Sequence, residues 1–531
     1  MSKVRVFLSQ QSGFSRLARR KTLAAILVGV STLAIRVALI PLWGVPQPAV
    51  HDEFSYLLAA DTYAHGKLTN PPHPMWIHFE GFHIIQQPTY MSMYPPGQGL
   101  ILAAGQLLGH PWIGQLLATA AMCSCLCWML QAWVPASWAL LAACLCTLQL
   151  GIPTYWGNSY FGTSLTALGG MLALGALPRI RRHARTRDAV LMGIGLAVLA
   201  NTRPYEGFVY SLPIMIALFF WIIEPKRIPR GTVLRGTVVP LVLVLGLTAA
   251  AMGYYFWRVT GNPLVMPYQV NRQTYAVAPY FIWEKLRPEP VYHHPEMRDF
   301  YVNWETRAYA AGTTVPGFTL RLLERIKMLA LFFIGPVFAL PLLAFPWLFR
   351  DRRMRLPLMV AATVAAGNFL EIWTFVHYLA PAVGLFFLLL VQCMRHLCQW
   401  RWQGRKLGQG LVRAIPVACL VILMLRIPSG KQVQDSRVPA HKTRHEIAQE
   451  LEEMPGQQLV IVHYGPKHTP HDDWVYNRAD IDASKIAWAR DMGDARNQEL
   501  LLYFKDRKVW RVDVDDPDVR LQPYRPDTST M

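Results

Sequence analysis

The sequence predicts a polytopic α-helical membrane protein that carries a small α/β domain at its C-terminus. Of its 531 residues, 53% are hydrophobic and only 16% are charged, and the mean hydropathy is +0.22. Soluble domains carry about 25% charged residues. The apolar residues are gathered into blocks of about 17–23, which is the length that crosses a bilayer. These observations exclude a disordered chain, a collagen-like chain and a disulfide framework.

The net charge of +19 raises the question of nucleic-acid binding, so its distribution along the chain matters. Residues 1–428 contain 37 Lys and Arg against 15 Asp and Glu, whereas residues 429–531 contain 15 against 18. The basic excess therefore lies in the apolar part of the chain, where short basic loops set the membrane orientation. No nucleic-acid partner is predicted, and the membrane accounts for the charge.

Eleven apolar segments are predicted to span the membrane. The first follows a basic N-terminus and lacks a small-residue cleavage site, so we expect an uncleaved helix with its N-terminus in the cytoplasm. The predicted spans are residues 22–42, 112–132, 135–152, 161–178, 188–202, 206–223, 235–257, 326–348, 355–374, 377–394 and 411–428.

Basic connectors orient these segments. They lie at residues 179–182, 226–227, 350–353 and 395–406, and the positive-inside rule places all four in the cytoplasm. Eleven crossings satisfy this rule if the apolar stretch 95–109, about 15 residues long, is re-entrant or interfacial. If that stretch crosses, the parity must be restored elsewhere.

This topology divides the chain into two predicted domains. The first is a membrane domain, residues 1–428, whose long loops 43–94 and 258–325 lie outside the cytoplasm. The second, residues 429–531, is a soluble α/β domain on the outer, periplasmic face of the inner membrane. Long polar loops on one face and short basic ones on the other predict chemistry on the outer face.

Hydrophobic patterning also predicts the elements of the C-terminal domain. Residues 442–454, 483–490 and 497–504 are predicted helices, whereas residues 458–463 and 509–514 are predicted strands. His463, at the end of the first of these strands, is followed by His468, His471, Asp472 and Asp473. We interpret them as a solvated polar loop, with a metal site as the alternative.

The most informative stretch follows the first span directly. Asp52 and Glu53 are adjacent carboxylates at a membrane surface, which is costly unless they are solvated, paired or used. Glu53 and Tyr56 fall on one face of a short predicted helix. Asp52 lies at its N-terminal end, where the helix dipole favours an ionised carboxylate. The alternative is an ordinary acidic pair that caps this helix.

These features together resemble the GT-C superfamily of membrane glycosyltransferases. The shared pattern is an acidic pair after the first transmembrane helix, a Tyr-containing helix ending in Gly66, and Tyr94-Pro95-Pro96-Gly97 before an apolar stretch. The chain is most similar to the family 39-like branch, which contains dolichyl-phosphate-mannose–protein mannosyltransferases and aminoarabinose transferases. The architecture matches over about residues 20–400, and the motifs lie within residues 51–110. His377-Tyr378 matches the family pattern too.

The resemblance implies inverting transfer of a sugar from a polyprenyl-phosphate donor to a lipid, polysaccharide or protein acceptor on the outer face of the membrane. Asp52 matches the catalytic carboxylate of the family and Glu53 its neighbour. A carboxylate suits this chemistry because an attacking hydroxyl needs a base or a hydrogen-bond acceptor. Some members carry another acidic residue in a later outer loop. The comparable turn here, residues 155–160, has none.

Other side chains are candidates for binding the substrates. Arg203 can bind the donor phosphate through its forked guanidinium, or it can pair with Glu206. His377 either faces the donor phosphate or is a hydrogen-bonded structural histidine. The candidates for substrate binding are Tyr56, Tyr94 and Tyr378. No cofactor is certain, but a divalent metal ion at Asp52 and Glu53 is left open because hard cations prefer carboxylates.

Two other functions compete with the transferase. A transporter or lipid flippase predicts internal repeats and charges near the bilayer midplane. The sequence shows no repeat, and its charges cluster at the outer ends of the spans. A non-catalytic assembly subunit, with the C-terminal domain as its docking module, is the third alternative. The aromatic loop 258–325 is predicted to cover the donor, to receive the acceptor or to pack at the interface.

Overall fold

The structure is a computed structural model that describes residues 13–225, 228–435 and 443–525, without the side chains of 429–435. It confirms an α-helical polytopic membrane protein with a small α/β region at the C-terminus. Two predicted features, the basic connector at 226–227 and residue 442 at the start of a helix, lie outside the described residues. The helices are α1 Gly13–Arg19, α2 Lys21–Ala38, α3 Ile40–Trp43, α4 His51–Ala64, α5 Pro96–Leu107, α6 Pro111–Leu130, α7 Ala136–Cys146, α8 Thr163–His183, α9 Thr186–Ala200, α10 Pro204–Ile223, α11 Arg230–Val233, α12 Val239–Thr260, α13 Pro267–Tyr275, α14 Pro295–Arg298, α15 Glu305–Gly312, α16 Val315–Leu329, α17 Gly335–Leu342, α18 Arg355–Leu370, α19 Val383–Leu397, α20 Leu407–Asp435, α21 Arg444–Glu453 and α22 Asp494–Tyr503.

Seven helical stretches among the described residues are long and apolar enough to cross a bilayer. Helical turns of other pitch extend some of the α-helices into longer spans, as between α16 and α17. Every predicted span coincides with a helix, but α7, α8, α9 and α18 are shorter or less apolar than this threshold. The count of eleven crossings therefore stays a prediction. The seven stretches are Lys21–Ala38, Pro111–Leu130, Pro204–Ile223, Arg230–Thr260, Val315–Leu342, Val376–Leu397 and Leu407–Pro428.

Helix α5 occupies the apolar stretch whose crossing was left open. Its 12 residues extend about 18 Å, well short of the ~30 Å hydrocarbon core. It packs tightly on α6, because a Cβ at Gly114 would collide with the carbonyl oxygen of Ile101. On its other side α5 contacts α4, where the side chains of Ala59 and Tyr63 lie against Gly99. This short helix therefore holds α4 against the membrane helices.

A four-stranded sheet forms the centre of the C-terminal domain. Its strands are β3 Gln458–His463, β4 Ile486–Arg490, β5 Lys508–Asp513 and β6 Gln522–Pro523, in the order β4-β3-β5-β6. Strand β3 pairs in parallel with β4 and β5, and β6 is antiparallel to β5. The predicted strands 458–463 and 509–514 and the helices 442–454 and 497–504 correspond to β3, β5, α21 and α22. A short two-stranded ribbon, β1 Ile84–Ile85 with β2 Met91–Ser92, lies in the loop 43–94.

The predicted helix at residues 483–490 is wrong, because residues Ile486–Arg490 form strand β4. Four of its five residues are buried, and the strand pairs with β3 along its whole length. A strand covered on both faces has no alternation of polar and apolar residues. Its alanines, Ala487 and Ala489, favour helix locally. Tertiary pairing overrode that local preference.

The C-terminal α/β region shares a hydrophobic cluster with the loop 43–94. Leu58, Phe79 and Ile84 of the loop are buried together with Leu459 and Leu500 of the domain. The backbone N–H of Ala479 also donates a hydrogen bond to Asp61 Oδ2 of α4, at 2.9 Å. The C-terminal α/β region therefore packs against the same loop that carries the acidic motif.

Candidate active site

Helix α4 positions the acidic motif. It begins at His51 after an extended Val50, so Asp52 and Glu53 occupy its first turn, as the sequence predicts. The free N–H groups and the helix dipole at this end favour negative charge. The chain leaves the helix through Gly66, whose φ of +72° is readily adopted only by glycine.

Glu53 holds the start of α4 in place. Its Oε2 accepts hydrogen bonds from the backbone N–H groups of Ala49 (2.9 Å) and Val50 (3.3 Å), which is half of a capping box. Its Oε1 accepts one from the N–H of Tyr160 at 2.9 Å. Because this carboxylate is 3% exposed and both oxygens are engaged by backbone amides, the geometry indicates a structural anchor between α4 and the turn 155–160.

Asp52 lies at the centre of a polar cluster. Its Oδ1 accepts a short hydrogen bond from the hydroxyl of Tyr94, and its Oδ2 lies 3.2 Å from His51 Nδ1. His83 Nδ1 is 3.7 Å from Oδ1 and 3.1 Å from the Tyr94 hydroxyl. The Asp52 side chain keeps 20% of its surface exposed, so a substrate can reach it. His83 adopts a φ of +61°, an uncommon conformation for a residue with a side chain.

The surroundings of Asp52 favour its ionised form. Burial by itself would raise its pKa, but the imidazoles of His83 and His51 and the hydrogen bond from Tyr94 outweigh burial and hold the pKa well below its usual range. Burial raises the pKa of Tyr94 well above its ordinary value, so its hydroxyl stays protonated and donates to Asp52. The cluster therefore presents one oriented, ionised carboxylate.

The same cluster fits a divalent metal ion. His51, Asp52 and His83 offer ligand atoms that all lie within 4.8 Å of one another. His51 Nε2 is buried and has no hydrogen-bond partner among the described residues. Two imidazoles and one carboxylate are a donor set that suits zinc and similar transition metals. The sequence left open a metal site at Asp52 and Glu53. In the structure Asp52 belongs to the candidate ligand group, but the other two members are histidines and Glu53 lies outside the group.

Tyrosines connect this cluster to Arg203. The rings of Tyr56 and Tyr94 stack with their centroids 4.5 Å apart. The Arg203 guanidinium lies over the ring of Tyr378, 4.5 Å from its centroid, and its positive charge acts on the hydroxyls of Tyr56 and Tyr94 as well. Arg203 Nη1 also pairs with Glu206 Oε1 at 3.1 Å, which is the alternative that the sequence analysis gave for Arg203. The Arg203 side chain is nevertheless 18% exposed.

His377 occupies an aromatic cluster beside these residues. Its Nδ1 lies 3.3 Å from the hydroxyl of Tyr155, and its ring stacks on Phe375 at 5.5 Å and packs against Phe161 at 5.1 Å. These contacts hold the ring from several sides, as expected of a hydrogen-bonded structural histidine. The five predicted residues Asp52, Tyr56, Tyr94, Arg203 and Tyr378 form one continuous set, with His377 at its edge.

The structure adds charged residues that the sequence analysis missed. Arg272 of α13 pairs with Glu305 of α15 at 2.5 Å, and both side chains are buried. The Arg272 guanidinium lies over the rings of Tyr280 (4.7 Å) and Trp373 (5.4 Å). The aromatic richness of the loop was noticed, but no motif spacing links residues 33 positions apart. Only the fold brings this buried ion pair together.

An apolar groove opens near Arg203. It has a volume of about 320 Å³ and lies between α16, α18 and α19, with Leu329, Ala361 and Phe386 among its walls. Its polar end is formed by Arg325 and Asn368, and the guanidinium of Arg325 donates to the Asn368 carbonyl oxygen at 3.2 Å. The groove shares wall residues with a smaller pocket lined by Glu206 and Tyr378, the two contacts of Arg203.

Comparison with known proteins gives the fold of this arrangement. No protein-family model matches the chain, and no curated protein matches it in sequence. Among solved structures, ArnT from Cupriavidus metallidurans in the apo state is similar, with a TM-score of 0.51 and 12% identity over 92% of this chain and 93% of that chain. ArnT bound to undecaprenyl phosphate gives a TM-score of 0.49 at 12% identity with the same coverage. The archaeal oligosaccharyltransferase AglB from Archaeoglobus fulgidus, in complex with an inhibitory peptide and a dolichol-phosphate, gives 0.49 at 11% identity over 94% and 70% of the two chains.

The predicted resemblance to GT-C membrane glycosyltransferases is confirmed at the level of fold by the first of these similarities. The identity is too low to carry an activity.

Proposed function

We propose that this protein transfers a sugar from a polyprenyl-phosphate donor to an acceptor on the outer face of the membrane. The observation that carries the proposal is the continuity of the site. An apolar groove among membrane helices shares walls with a pocket lined by Tyr378, which Arg203 contacts. The charge of Arg203 acts on Tyr94, which donates to the single oriented carboxylate, Asp52. A polyprenyl-phosphate sugar also has three parts in this order: an apolar chain, a phosphate and the sugar. The GT-C fold of the ArnT neighbour is consistent with this reaction.

The groove accounts for the lipid part of the donor. Its walls are mostly aliphatic and aromatic side chains from α16, α18 and α19, and it is not fully enclosed. A polyprenyl chain can therefore enter from the bilayer without crossing a polar surface. Arg203 contacts Tyr378 in the wall of the adjoining pocket, and a guanidinium binds phosphate oxygens through paired hydrogen bonds. The positive charge of Arg203 also stabilises the negative charge that develops on the leaving phosphate.

Asp52 accounts for the chemistry at the acceptor. The acceptor oxygen forms a bond to the anomeric carbon while the bond from that carbon to the phosphate oxygen breaks, and the hydroxyl proton passes to Asp52. A single carboxylate on the acceptor side gives inversion of configuration, because no covalent sugar–enzyme intermediate forms. Tyr94 and His51 orient the carboxylate. A divalent cation held by His51, Asp52 and His83 would supply charge stabilisation at this point.

We also infer the orientation that this chemistry requires. The N-terminus lies in the cytoplasm, and the loops 43–94 and 258–325 and the domain 429–531 lie on the periplasmic side of the inner membrane. The short basic connectors between helices support this orientation. Reporter fusions at the ends of α8 and α22 test it, since the two fusions should report opposite sides.

The decisive experiment measures transfer from a panel of radiolabelled polyprenyl-phosphate sugars in membranes that contain the protein. We expect Asp52→Asn to reduce transfer by about 10²–10⁴-fold, the usual contribution of a general base, because the substitution keeps the shape and removes the charge. The matched control is Asp61→Asn on the same helix, whose oxygens contact Gln106, Ala479 and His65. Full transfer by Asp52→Asn would refute the assigned base, and no transfer by the wild type would favour the transporter or subunit functions.

A further inference from the structure

The C-terminal domain reaches the Asp52 cluster through the connection that follows β3. The ring of His471 lies 5.6 Å from the ring of His51, measured between centroids. It also contacts two aromatic residues of the second outer loop, Trp304 at 4.9 Å and Phe300 at 5.7 Å. The sequence predicted a solvated polar loop here. The side chain is indeed exposed, but the space that it faces is the candidate active site.

Buried ionic contacts fix the position of this connection. Asp473 accepts hydrogen bonds from Arg490 Nη2 (2.6 Å) and from the hydroxyl of Tyr464 (2.5 Å). Arg490 is 1% exposed, and its Nε donates to the backbone carbonyl of Glu80 at 2.7 Å. The domain is thereby attached to the first outer loop three residues before His83. His471, two residues before Asp473, is presented at a defined place.

The surface around His471 has unused hydrogen-bonding groups and aromatic faces. Neither ring nitrogen of His471 has a hydrogen-bond partner in the part of the chain that the structure describes. Trp304 meets it edge to face, at an interplanar angle of 82°, and is only partly buried. Amphipathic aromatic rings of this kind contact an apolar face and a polar group of one ligand together. A sugar ring has both, since its C–H faces are apolar and its rim carries hydroxyl groups.

We propose that His471 and Trp304 form the acceptor subsite and that the acceptor is a carbohydrate, so that the C-terminal domain supplies part of the active site. This inference rests on the proposed function. One hydroxyl of the acceptor sugar gives its proton to Asp52 and attacks the anomeric carbon of the donor, while the phosphate leaves with the electron pair. A second hydroxyl donates a hydrogen bond to His471, and the ring lies against Trp304.

Initial rates with simple acceptors test this subsite. The probes are octyl glucoside, octyl galactoside and octyl mannoside, and a Ser/Thr peptide serves as the alternative acceptor, each combined with the donor panel. For His471→Ala we expect the KM of the glycoside to rise at least about tenfold, the equivalent of one hydrogen bond, with the donor KM within about twofold of the wild type. His471→Asn, which keeps a hydrogen-bonding group, should recover part of the loss.

The control is His463→Ala, which changes another histidine of the domain. His463 bonds Asp491 at 3.0 Å and makes no contact with His51, Trp304 or Phe300 among the described residues. Its kinetics should equal those of the wild type. Melting temperatures exclude misfolding, and if His471→Ala is unstable, His471→Asn and Trp304→Ala decide the result.

Two outcomes overturn the subsite while leaving the proposed function intact. One is an unchanged glycoside KM in His471→Ala while Asp52→Asn is inactive. The other is wild-type transfer to the Ser/Thr peptide and to none of the glycosides. If the wild type transfers sugar to no acceptor, the proposed function fails and this inference fails with it.

Discussion

The two ends of the candidate site are built in opposite ways. The Asp52 cluster is polar, and its members Asp52, His83 and Tyr94 all come from the loop 43–94. The apolar groove is formed by α16, α18 and α19, which contribute mostly ordinary aliphatic and aromatic side chains. Reactive groups must be specific residues in a fixed relation, whereas a lipid groove needs only apolar volume. The first kind of site leaves a motif in the sequence and the second does not.

This difference also predicts how each end responds to mutation. In the cluster, a carboxylate is held by directed hydrogen bonds, so the loss of one atom changes its ionisation or its orientation. In the groove, many weak contacts share the binding energy, so only a change in volume matters. Arg203 contacts Tyr378 of the pocket beside the groove and acts through its charge on Tyr94 of the cluster, so it is linked to both. The predictions below test this contrast, from the largest expected effect to the smallest.

Among the variants described below, Arg203→Ala should have the largest effect. We expect kcat/KM for the donor to fall about 100-fold, equivalent to about 2.7 kcal/mol, because a charge-assisted contact to the phosphate is lost. The kcat/KM of Arg203→Lys should lie between those of the wild type and Arg203→Ala, since lysine keeps the charge but lacks the planar fork that lies over Tyr378. Initial rates at varied donor concentration give both values. Arg520→Ala, at an exposed pair, is the control, and an unchanged donor KM in Arg203→Ala would refute phosphate binding.

Glu53→Gln should affect stability before catalysis. The amide keeps one acceptor oxygen but turns an NH₂ group toward a backbone N–H, so we expect the free energy of unfolding to fall by about 1–3 kcal/mol. Denaturant unfolding in detergent measures this loss, with the exposed Glu499→Gln as the control. If Glu53→Gln abolished transfer at unchanged stability, Glu53 would belong to the reactive part of the cluster.

Filling the groove should weaken donor binding moderately. Ala361→Trp places a large ring in the apolar volume, and we expect the KM of a long-chain donor to rise about tenfold, or about 1.4 kcal/mol. A donor with a short lipid should lose less, which distinguishes lipid binding from a general distortion. Val417→Trp, on an exposed apolar face of α20, controls for the added tryptophan. Equal losses for both lipid lengths would argue against the groove as the lipid site.

The smallest expected effect is a shift in the pH dependence of the transfer rate. The pKa of Asp52 is lowered, so its carboxylate persists below the ordinary aspartate pKa of about 4, and the rate should not fall through Asp52 between pH 8 and pH 5. Tyr94→Phe removes a hydrogen bond to the ionised form. The acid limb of the rate profile should therefore move to higher pH, by up to about one unit. His51, His83 and His471 also face this carboxylate, and a limb that did not move would show that they alone set its pKa.

The sequence determined more of the fold than of the site. Apolar blocks located a helix at every predicted span, and patterning gave strands β3 and β5 with helix α22. Patterning failed at β4, because a strand that is covered on both faces has no alternation of polar and apolar residues and its alanines favour helix. Within the site, Asp52 and Tyr94 were found because they lie in one motif. The position of His471 beside His51 and the pair Arg272–Glu305 were missed, because nothing in the spacing of distant residues indicates that they meet.

The sequence by itself determined that the chain is a membrane protein with an acidic motif directly after its first helix, because hydrophobicity and consecutive residues are local properties. The tertiary structure decided what surrounds that motif. Folding assigned Glu53 to backbone amides and Asp52 to His51, His83 and Tyr94, and it placed His471 of the C-terminal domain beside them. The physical reason is that hydrogen bonds and ring contacts depend on distances of a few ångströms, which only packing sets.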